Sequence, residues 1–229
     1  MMIKDHCPVC FEKEFILIDT FLQWEKESEI RNKNVTLRNV SKKSNIELTS
    51  KKFYQCCNCK LIFIYPFITD QELSEFYTSY IGNEAYFKKV DKKLKRATRR
   101  IKGLMNKIKA NNFLEVGCNV GTAVEAARCL GLNSTGIEID SEAVTIAKNE
   151  YPKCKFISTS AEEYSKHGEK YDLVFCTEVI EHVPNPNEFV EALYNLVAPG
   201  GLLFMTTPDA GHLRRTKIYV LVALLHSNV

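Results

Sequence analysis

The sequence predicts an α/β fold with a doubly wound, mainly parallel sheet, and two observations support this prediction. Between residues 88 and 207, apolar runs of strand type alternate with segments whose apolar residues recur at helical spacing. The run NFLEV ends at Gly117, and Gly121 comes just before a helix start expected at Thr122. This strand and helix rhythm is typical of parallel strands covered by helices on both faces.

Each element is placed by its own pattern. Strands are expected over residues 61–65, where Pro66 stops the strand, and over 113–116, 133–140, 155–158, 171–176 and 202–207. Helices are expected over residues 69–80, 88–109, 122–130, 141–151 and 189–197. Ser141 is the expected cap of its helix. The helix over 88–109 is densely basic, which we interpret as a solvated surface, with attraction of a phosphate-bearing substrate as the alternative.

The turn between Gly117 and Gly121 is suited to a ligand. Glycines let the backbone approach closely, and the first amides of the next helix present free N–H groups. The spacing is Gly-x-x-x-Gly, however, and not the Gly-x-Gly-x-x-Gly typical of dinucleotide sites. Glu138 ends the second strand of this region, where a carboxylate can accept hydrogen bonds from both ribose hydroxyls of a nucleoside.

Residues 113–208 resemble the class I S-adenosylmethionine-dependent methyltransferases. The segments EVGCNVG, GIEID, YDLVFCTEVIEHV and APGGLLFMTTP come in that family's order and at its spacings. The resemblance implies a Rossmann-like sheet and S-adenosylmethionine as cofactor. Asn119 stands where the family most often has glycine. Because asparagine tolerates the left-handed region better than other non-glycine residues, we expect the turn to be preserved.

The resemblance also implies which residues bind the cofactor. The first glycine turn would wrap the methionine part, Glu138 would hold the ribose, and Ile139 would pack on the adenine. Further contacts are implied at the ends of the third and fourth strands. In chain order the implied residues are Glu115, Gly117, Cys118, Asn119, Gly121, Glu138, Ile139, Ala161, Glu162, Thr177 and Glu178.

The amino-acid composition limits the classes to which the protein can belong. The chain has 229 residues, 45% of them hydrophobic and 26% charged, with a net charge of +3. These values are typical of a globular protein and give no reason to expect a nucleic-acid partner. We expect no membrane span and no secretory signal, because no apolar run is long enough. Nine cysteines then indicate a reducing, cytoplasmic location.

Two Cys-x-x-Cys pairs indicate a structural zinc site. Cys7 with Cys10 and Cys56 with Cys59 can supply four thiolates in a tetrahedron. The alternative is an oxidised pair or four unrelated thiols. The predicted domains are a zinc-binding module with a β-ribbon insertion over 1–68, a helical linker and cover over 69–110, and a cofactor-binding domain over 111–229. This arrangement resembles methyltransferases of sugar pathways that carry such an N-terminal module.

The candidate catalytic residues are His182, Glu181 and Tyr80. Histidine titrates near neutrality, so His182 could take a proton from the acceptor, with Glu181 or Glu178 orienting either the histidine or the substrate. The alternative is that Glu181 and His182 only cap a helix and shape the pocket. The resemblance to the sugar-pathway subgroup implies that a tyrosine of this segment reaches the active site; the candidates are Tyr77, Tyr80 and Tyr86, of which we choose Tyr80. The alternative for Tyr80 is the buried stripe of an amphipathic helix.

The predicted function is methyl transfer to a small acceptor, a sugar or nucleotide-sugar by the subgroup resemblance. EVIEHV also resembles quinone-pathway O-methyltransferases, which makes O-methylation of another metabolite an alternative. Family members continue with a helix and an antiparallel pair, whereas here only the apolar run over 218–225 remains. We therefore expect missing C-terminal strands, or a stretch through which the chain forms a homo-oligomer. An inactive cofactor-binding or scaffold protein is the third interpretation.

Overall fold

A computed structural model describes residues 6–20, 52–65, 90–208 and 218–224. The chain forms two compact units. One comprises residues 1–82 together with 184–187, and the other comprises residues 83–183 together with 188–229. No helix of the described residues is both long and apolar enough to cross a bilayer. The domain boundaries expected after residues 68 and 110 remain predictions, as does a homo-oligomer through the C-terminal stretch.

The smaller unit contains a three-stranded antiparallel sheet. Its strands are β1 (Phe15–Thr20), β2 (Lys52–Cys56) and β3 (Ile62–Tyr65), in the order β1-β2-β3. The ring of Phe15 packs edge-on against that of Phe63, with centroids 5.2 Å apart. The sequence analysis predicted only β3, because β1 and β2 pair across residues far apart in the chain.

The larger unit alternates strands and helices largely as the sequence predicted, although the helix over Ala161–Ser165 and the strand over Ile218–Leu224 were not expected. Its elements are α1 (Val90–Met105), β4 (Asn112–Val116), α2 (Thr122–Cys129), β5 (Asn133–Glu138), α3 (Ser141–Glu150), β6 (Lys155–Ser158), α4 (Ala161–Ser165), β7 (Tyr171–Thr177), a 3₁₀ turn (Ile180–His182), α5 (Pro186–Leu196), β8 (Val197–Pro208) and β9 (Ile218–Leu224). The sheet order is β6-β5-β4-β7-β8-β9. The order reverses between β4 and β7, which is where open α/β sheets place their ligands.

Five of these strands are parallel, and β9 is antiparallel to β8. The expectation that the C-terminal strands are missing is therefore corrected in part. The apolar run forms an antiparallel strand, paired from Leu202 with Leu224 to Pro208 with Ile218. The free N–H and C=O groups along the edge of β8 can hydrogen-bond to any extended segment. A single apolar segment is therefore enough to extend the sheet by one strand.

Apolar side chains cover both faces of the sheet. On one face α1 and α2 bury Ile101, Leu104 and Ala126 in a cluster that includes Phe113 and Phe204. The other face buries apolar residues of α4, α5 and alternate strand positions. Because only six residues separate Met105 from Asn112, the C-terminal end of α1 lies near the start of β4. The N-terminal turns of α1 therefore extend toward the carboxyl ends of the strands.

One predicted cap is wrong. Asp140, and not Ser141, caps α3, and its Oδ1 accepts hydrogen bonds from the backbone N–H groups of Glu142 and Ala143 at 2.8 and 3.2 Å. Aspartate and serine are both good caps, and β5 ends early enough to leave Asp140 in the extended conformation that a cap requires. The β-ribbon insertion, the helix over 69–80 and Tyr80 lie outside the described residues.

Candidate functional site

The loop between β4 and α2 has the left-handed backbone that its sequence predicts. Gly117, Asn119 and Gly121 have φ angles of 71°, 48° and 80°. The Oδ1 atom of Asn119 accepts a hydrogen bond from the backbone N–H of Val120 at 2.8 Å, which supports this conformation. A Cβ on Gly121 would lie 2.5 Å from the ring of Phe156. Glycine is therefore required at Gly121 for both its φ angle and its packing.

Glu138 is held against this loop by backbone amides. Its Oε2 accepts a hydrogen bond from the N–H of Asn119 at 2.9 Å. Its Oε1 accepts from the N–H groups of Ile139 and Asp140 at 2.8 and 3.2 Å. Burial raises the pKa of Glu138, although the three amides favour the charged form. Together these contacts bring the ends of β4 and β5 to one site.

Glu115 is a buried carboxyl below the loop, with only 6% of its surface exposed. Its Oε2 has no hydrogen-bond partner among the described residues. Burial raises the pKa of Glu115 well above its usual range. The N–H of Val124 and the Lys93 ammonium oppose this shift, and the Glu138 carboxylate adds to it. Such a group suits a ligand that brings a hydrogen-bond donor or a positive charge.

Other predicted cofactor residues lie at the carboxyl ends of neighbouring strands. Ile139 follows β5 and is 56% exposed, which is unusual for a large apolar side chain beside a polar site. Ala161 is buried and Glu162 is half-buried at the start of α4, directly after β6. Thr177 ends β7 and is half-buried. Cys118, in the loop, is buried, and this burial raises the pKa of its thiol.

Two glutamates follow β7 and contact β8. Glu178 has a left-handed backbone with φ of 58°, and its Oε1 accepts a hydrogen bond from Thr206 Oγ1 at 2.9 Å. The Oε2 of Glu181 accepts from Thr207 Oγ1 at 3.1 Å. A left-handed conformation is strained for glutamate, so neighbouring contacts must hold it. The strained residue lies where the sheet order reverses.

His182 closes the 3₁₀ turn after β7, and its side chain is 42% exposed. Its Nε2 lies 4.0 Å from Glu181 Oε1, which is too long for a hydrogen bond. Burial lowers the pKa of His182 below its ordinary value, while the Glu178 carboxylate acts in the opposite direction. The imidazole is therefore mainly neutral at pH 7 and able to accept a proton.

The two Cys-x-x-Cys segments have the same backbone geometry. In the first, the N–H of Phe11 donates to the Cys7 carbonyl at 3.0 Å, and in the second the N–H of Lys60 donates to the Cys56 carbonyl at 3.2 Å. Phe11 and Lys60 are both left-handed, with φ of 61° and 63°. Each segment thus bends sharply, so that both of its thiols lie on one side.

The four thiols form one cluster. The sulfur atoms of Cys7, Cys10, Cys56 and Cys59 all lie within 4.8 Å of one another. Cys7 to Cys59 measures 3.6 Å, and Cys10 to Cys56 measures 3.5 Å. Tetrahedral zinc with bonds of about 2.3 Å places its sulfur ligands about 3.8 Å apart, so these distances fit such an ion. All four cysteines are unpaired, and no disulfide joins the segments.

The thiols have unequal acidities. The backbone at Glu12 lowers the pKa of Cys10 to about 6, burial opposes this shift, and the neighbouring thiols add to it. The backbone at Leu61 lowers the pKa of Cys59, but burial and the neighbouring thiols raise it to about 12. Four thiolates at these distances repel one another unless a cation lies between them.

The structure thus brings the predicted cofactor residues together at the carboxyl ends of β4 to β7, with His182 and Glu181 beside β7 and β8. The cysteines form a separate cluster in the smaller unit. Tyr80 lies outside the described residues. The sequence analysis missed the amide contacts of Glu138 and the pairing of Glu178 and Glu181 with threonines of β8. No local sequence pattern predicts these contacts, because the two residues in each contact belong to different segments of the chain.

Comparison with known proteins identifies the class. Residues 84–224, more than half of the chain, match the family described as methyltransferase domain, and the chain belongs to this family. It is 35% identical over 119 residues to a ubiquinone biosynthesis O-methyltransferase from Hydrogenovibrio crunogenus, covering 50% of this chain and 48% of that protein. A protein of the same description from Saccharophagus degradans is 36% identical over 113 residues, with coverages of 47% and 46%. The chain spans about half the length of these curated relatives.

A solved structure shows the same fold. The plantazolicin methyltransferase BpumL, in complex with SAH, superposes with a TM-score of 0.50 at 21% identity. The match covers 61% of this chain and 58% of BpumL. The predicted fold class, a Rossmann-like and mainly parallel methyltransferase sheet, is confirmed.

The buried carboxyl of Glu115 predicts a dependence of stability on pH. Its folded pKa is raised, so its contribution is fully present below the unfolded value of about 4.3 and is lost as pH rises. Glu115→Gln should therefore match the parent protein near pH 4 and unfold at higher urea concentration at pH 7. Urea unfolding measured between pH 4 and 8 checks this prediction.

Glu125→Gln is the matched control with the opposite sign. The Arg128 guanidinium lowers the pKa of Glu125 to about 2, so its contribution is present at neutral pH and is lost in acid. This variant should be less stable than the parent at pH 7, and the gap should close as pH falls. Equal destabilisation by Glu115→Gln at both ends of the pH range would contradict the assignment.

Proposed function

We propose that this chain binds S-adenosylmethionine and transfers its methyl group to a small acceptor. The observation that carries the proposal is the 2.9 Å contact between the Asn119 amide and the Glu138 carboxylate. It joins a glycine loop and a strand-end carboxylate at the point where the sheet order reverses. Membership in the methyltransferase domain family supports the same function.

The residues present fit this cofactor. One oxygen of Glu138 faces the loop and the other faces its own strand end, so the carboxylate can accept ribose hydroxyls at the edge of β5. The exposed side chain of Ile139 offers an apolar surface for adenine. The unsatisfied Oε2 of Glu115 suits an ammonium donor. When bound, the cofactor supplies an activated methyl group on a positively charged sulfur. Nearby carboxylates would stabilise this positive charge.

His182 is the proposed base. Its lowered pKa leaves it neutral at pH 7, and it lies beside the end of β7 on a short turn. Glu181 lies too far to hydrogen-bond it, so we assign Glu181 and Glu178 to orienting the acceptor from fixed positions on β8 threonines. Tyr80 stays a candidate through the subgroup resemblance alone.

The acceptor class has two candidates. The curated relatives are named O-methyltransferases, which favours a hydroxyl acceptor. The cysteine cluster favours a sugar or nucleotide-sugar, because a module of this kind marks the resemblance to sugar-pathway enzymes. If the chain binds the cofactor but methylates no acceptor, the result would indicate an inactive cofactor-binding or scaffold protein.

We also propose that Cys7, Cys10, Cys56 and Cys59 bind a structural zinc ion. Their sulfur separations fit a tetrahedral ion, and the two segments supply two ligands each from the same backbone turn. Among the described residues of the smaller unit, the buried cluster consists of Cys7, Cys56 and Phe63. A metal ion held by the cysteines would therefore contribute directly to the stability of this cluster.

Cofactor binding is tested by calorimetry. S-adenosylmethionine and SAH should give heat with the purified chain, and NAD should give none. Glu138→Ala should weaken S-adenosylmethionine about ten- to a hundredfold, because hydrogen bonds to a charged group are lost. Glu142→Ala removes the same charge from an exposed position close by and should leave the affinity unchanged. A folded protein that takes up no S-adenosylmethionine would rule out the proposed function.

The base role of His182 is tested on an acceptor found by screening nucleotide sugars and phenols with labelled cofactor. His182→Ala should lower kcat by about a hundredfold or more and leave cofactor affinity intact. The rate of the parent should rise with pH through a pKa below 6.5, as His182 loses its proton. His167→Ala is the control, because His167 precedes β7 whereas His182 follows it. Unchanged turnover in His182→Ala would contradict the assignment.

Metal content tests the cysteine cluster. The purified chain should contain about one zinc per molecule, and Cys56→Ser should lose it together with thermal stability. Cys57→Ser changes the adjacent thiol, which is outside the cluster, and should keep the metal. Zinc retained in Cys56→Ser, or absent from the parent after expression with added zinc, would overturn the site.

A further inference from the structure

The helix α1 carries a row of cations on one side. Lys93, Arg96 and Arg100 are three and four residues apart, so they project from the same side of successive turns. Arg96 is exposed, whereas Lys93 and Arg100 are half-buried. The other basic residues of α1 are exposed. Two of them, Lys92 and Arg99, are four and three residues from Arg96, so the basic surface continues from the row onto that flank of the helix. What distinguishes the row is that Lys93 and Arg100 are half-buried, whereas every other basic residue of α1 is exposed.

Arg100 fixes the position of the row on the sheet. Its guanidinium carbon lies 6.0 Å from the ring centroid of Phe204, midway along β8. Thr206, which donates a hydrogen bond to Glu178, lies two residues further along β8, a distance of about 7 Å in a strand. One turn further along α1, about 6 Å toward its N-terminus, is Arg96. Since α1 runs toward the carboxyl ends of the strands in that direction, the row reaches the end of the sheet that carries the site.

Electrostatic effects agree with this placement. Burial lowers the pKa of Arg100, the nearby Arg96 lowers it further, and the Glu178 carboxylate acts in the opposite direction. The Lys93 ammonium likewise lowers the pKa of Glu115. The row therefore lies within electrostatic range of carboxylates at the ends of both β4 and β7.

Of the ion pairs formed by described side chains, none includes Arg96 or Arg100. The Glu178 carboxylate is bonded to Thr206 instead. The half-buried guanidinium of Arg100 would be stabilised further by a ligand that brings negative charge beside it. Paired guanidinium groups one turn apart match the oxygen atoms of a phosphate.

We propose that Lys93, Arg96 and Arg100 bind a phosphate or diphosphate group of the methyl acceptor. This inference rests on the proposed function and narrows its substrate to phosphate-bearing small molecules. Phe204 and Glu178 belong to β8 and to the end of β7, on the side of the reversal point away from Glu138. The phosphate would thus lie on the acceptor side, with the cofactor residues of β4 and β5 on the other.

The test uses inorganic pyrophosphate as the probe, titrated into the full chain by calorimetry at low salt. The parent should bind it, and the double variant Arg96→Gln with Arg100→Gln should bind at least tenfold more weakly. The double variant Lys95→Gln with Arg99→Gln removes the same charge at the same spacing from exposed positions of α1 and should change affinity less than twofold. Arg100→Lys, which keeps the charge but loses the planar fork, should fall in between.

Equal loss in the two double variants, or no binding of pyrophosphate by the folded parent, would overturn the proposal. Vesicles containing phosphatidylglycerol provide a second arm. Sedimentation with vesicles that is weakened equally in both double variants, without pyrophosphate binding, would identify the helix as a membrane-binding surface instead. Thermal unfolding confirms that each variant is folded. S-adenosylmethionine affinity, measured on the same variants, should not change, so a failure of cofactor binding is recognised separately from a failure of the phosphate site.

Discussion

The contact between Glu138 and the backbone amides of Asn119, Ile139 and Asp140 is the interaction on which the site depends. It couples a loop that follows β4 to the end of β5, and both segments then begin helices that pack on the sheet. A carboxylate can accept several hydrogen bonds at once, so one side chain can fix a turn that has few contacts of its own. The positive φ angles at Gly117 and Gly121 are tolerated because glycine has no Cβ, and that at Asn119 because asparagine tolerates the left-handed region better than most residues. A Cβ on Gly121 would also clash with Phe156.

Charge is distributed unevenly around the site. Carboxylates of Glu115, Glu138 and Glu178 lie at the ends of β4, β5 and β7, and burial raises the pKa of the first two. Lys93 and Arg100, on α1, lie within electrostatic range of Glu115 and Glu178. A cationic methyl donor and an anionic acceptor would therefore meet opposite charges on the two sides of the reversal point. Such an arrangement would attract both reactants electrostatically, before either one makes its specific contacts with the site.

The cysteine cluster rests on a different principle, because its geometry is local. Each Cys-x-x-Cys segment forms the same turn with a left-handed residue after its second cysteine, although neither Phe11 nor Lys60 favours that conformation. Spacing within each pair was readable from the sequence. That two pairs separated by more than forty residues converge was only a prediction, because convergence depends on the antiparallel pairing of β1 with β2.

Local sequence determined the elements that have a period or a turn of their own: the order of the strands from β4 to β8 with helices α1, α2, α3 and α5, the left-handed loop at Gly117 and Gly121, and the carboxylate that ends β5. Hydrophobic period and glycine conformation act within a few residues and need no distant partner. Only the tertiary structure decided which partners meet: Glu138 with Asn119, Glu178 with Thr206, Arg100 with Phe204, and β9 with β8. These contacts join residues on separate elements, and their energies exist only once the sheet has brought those elements together.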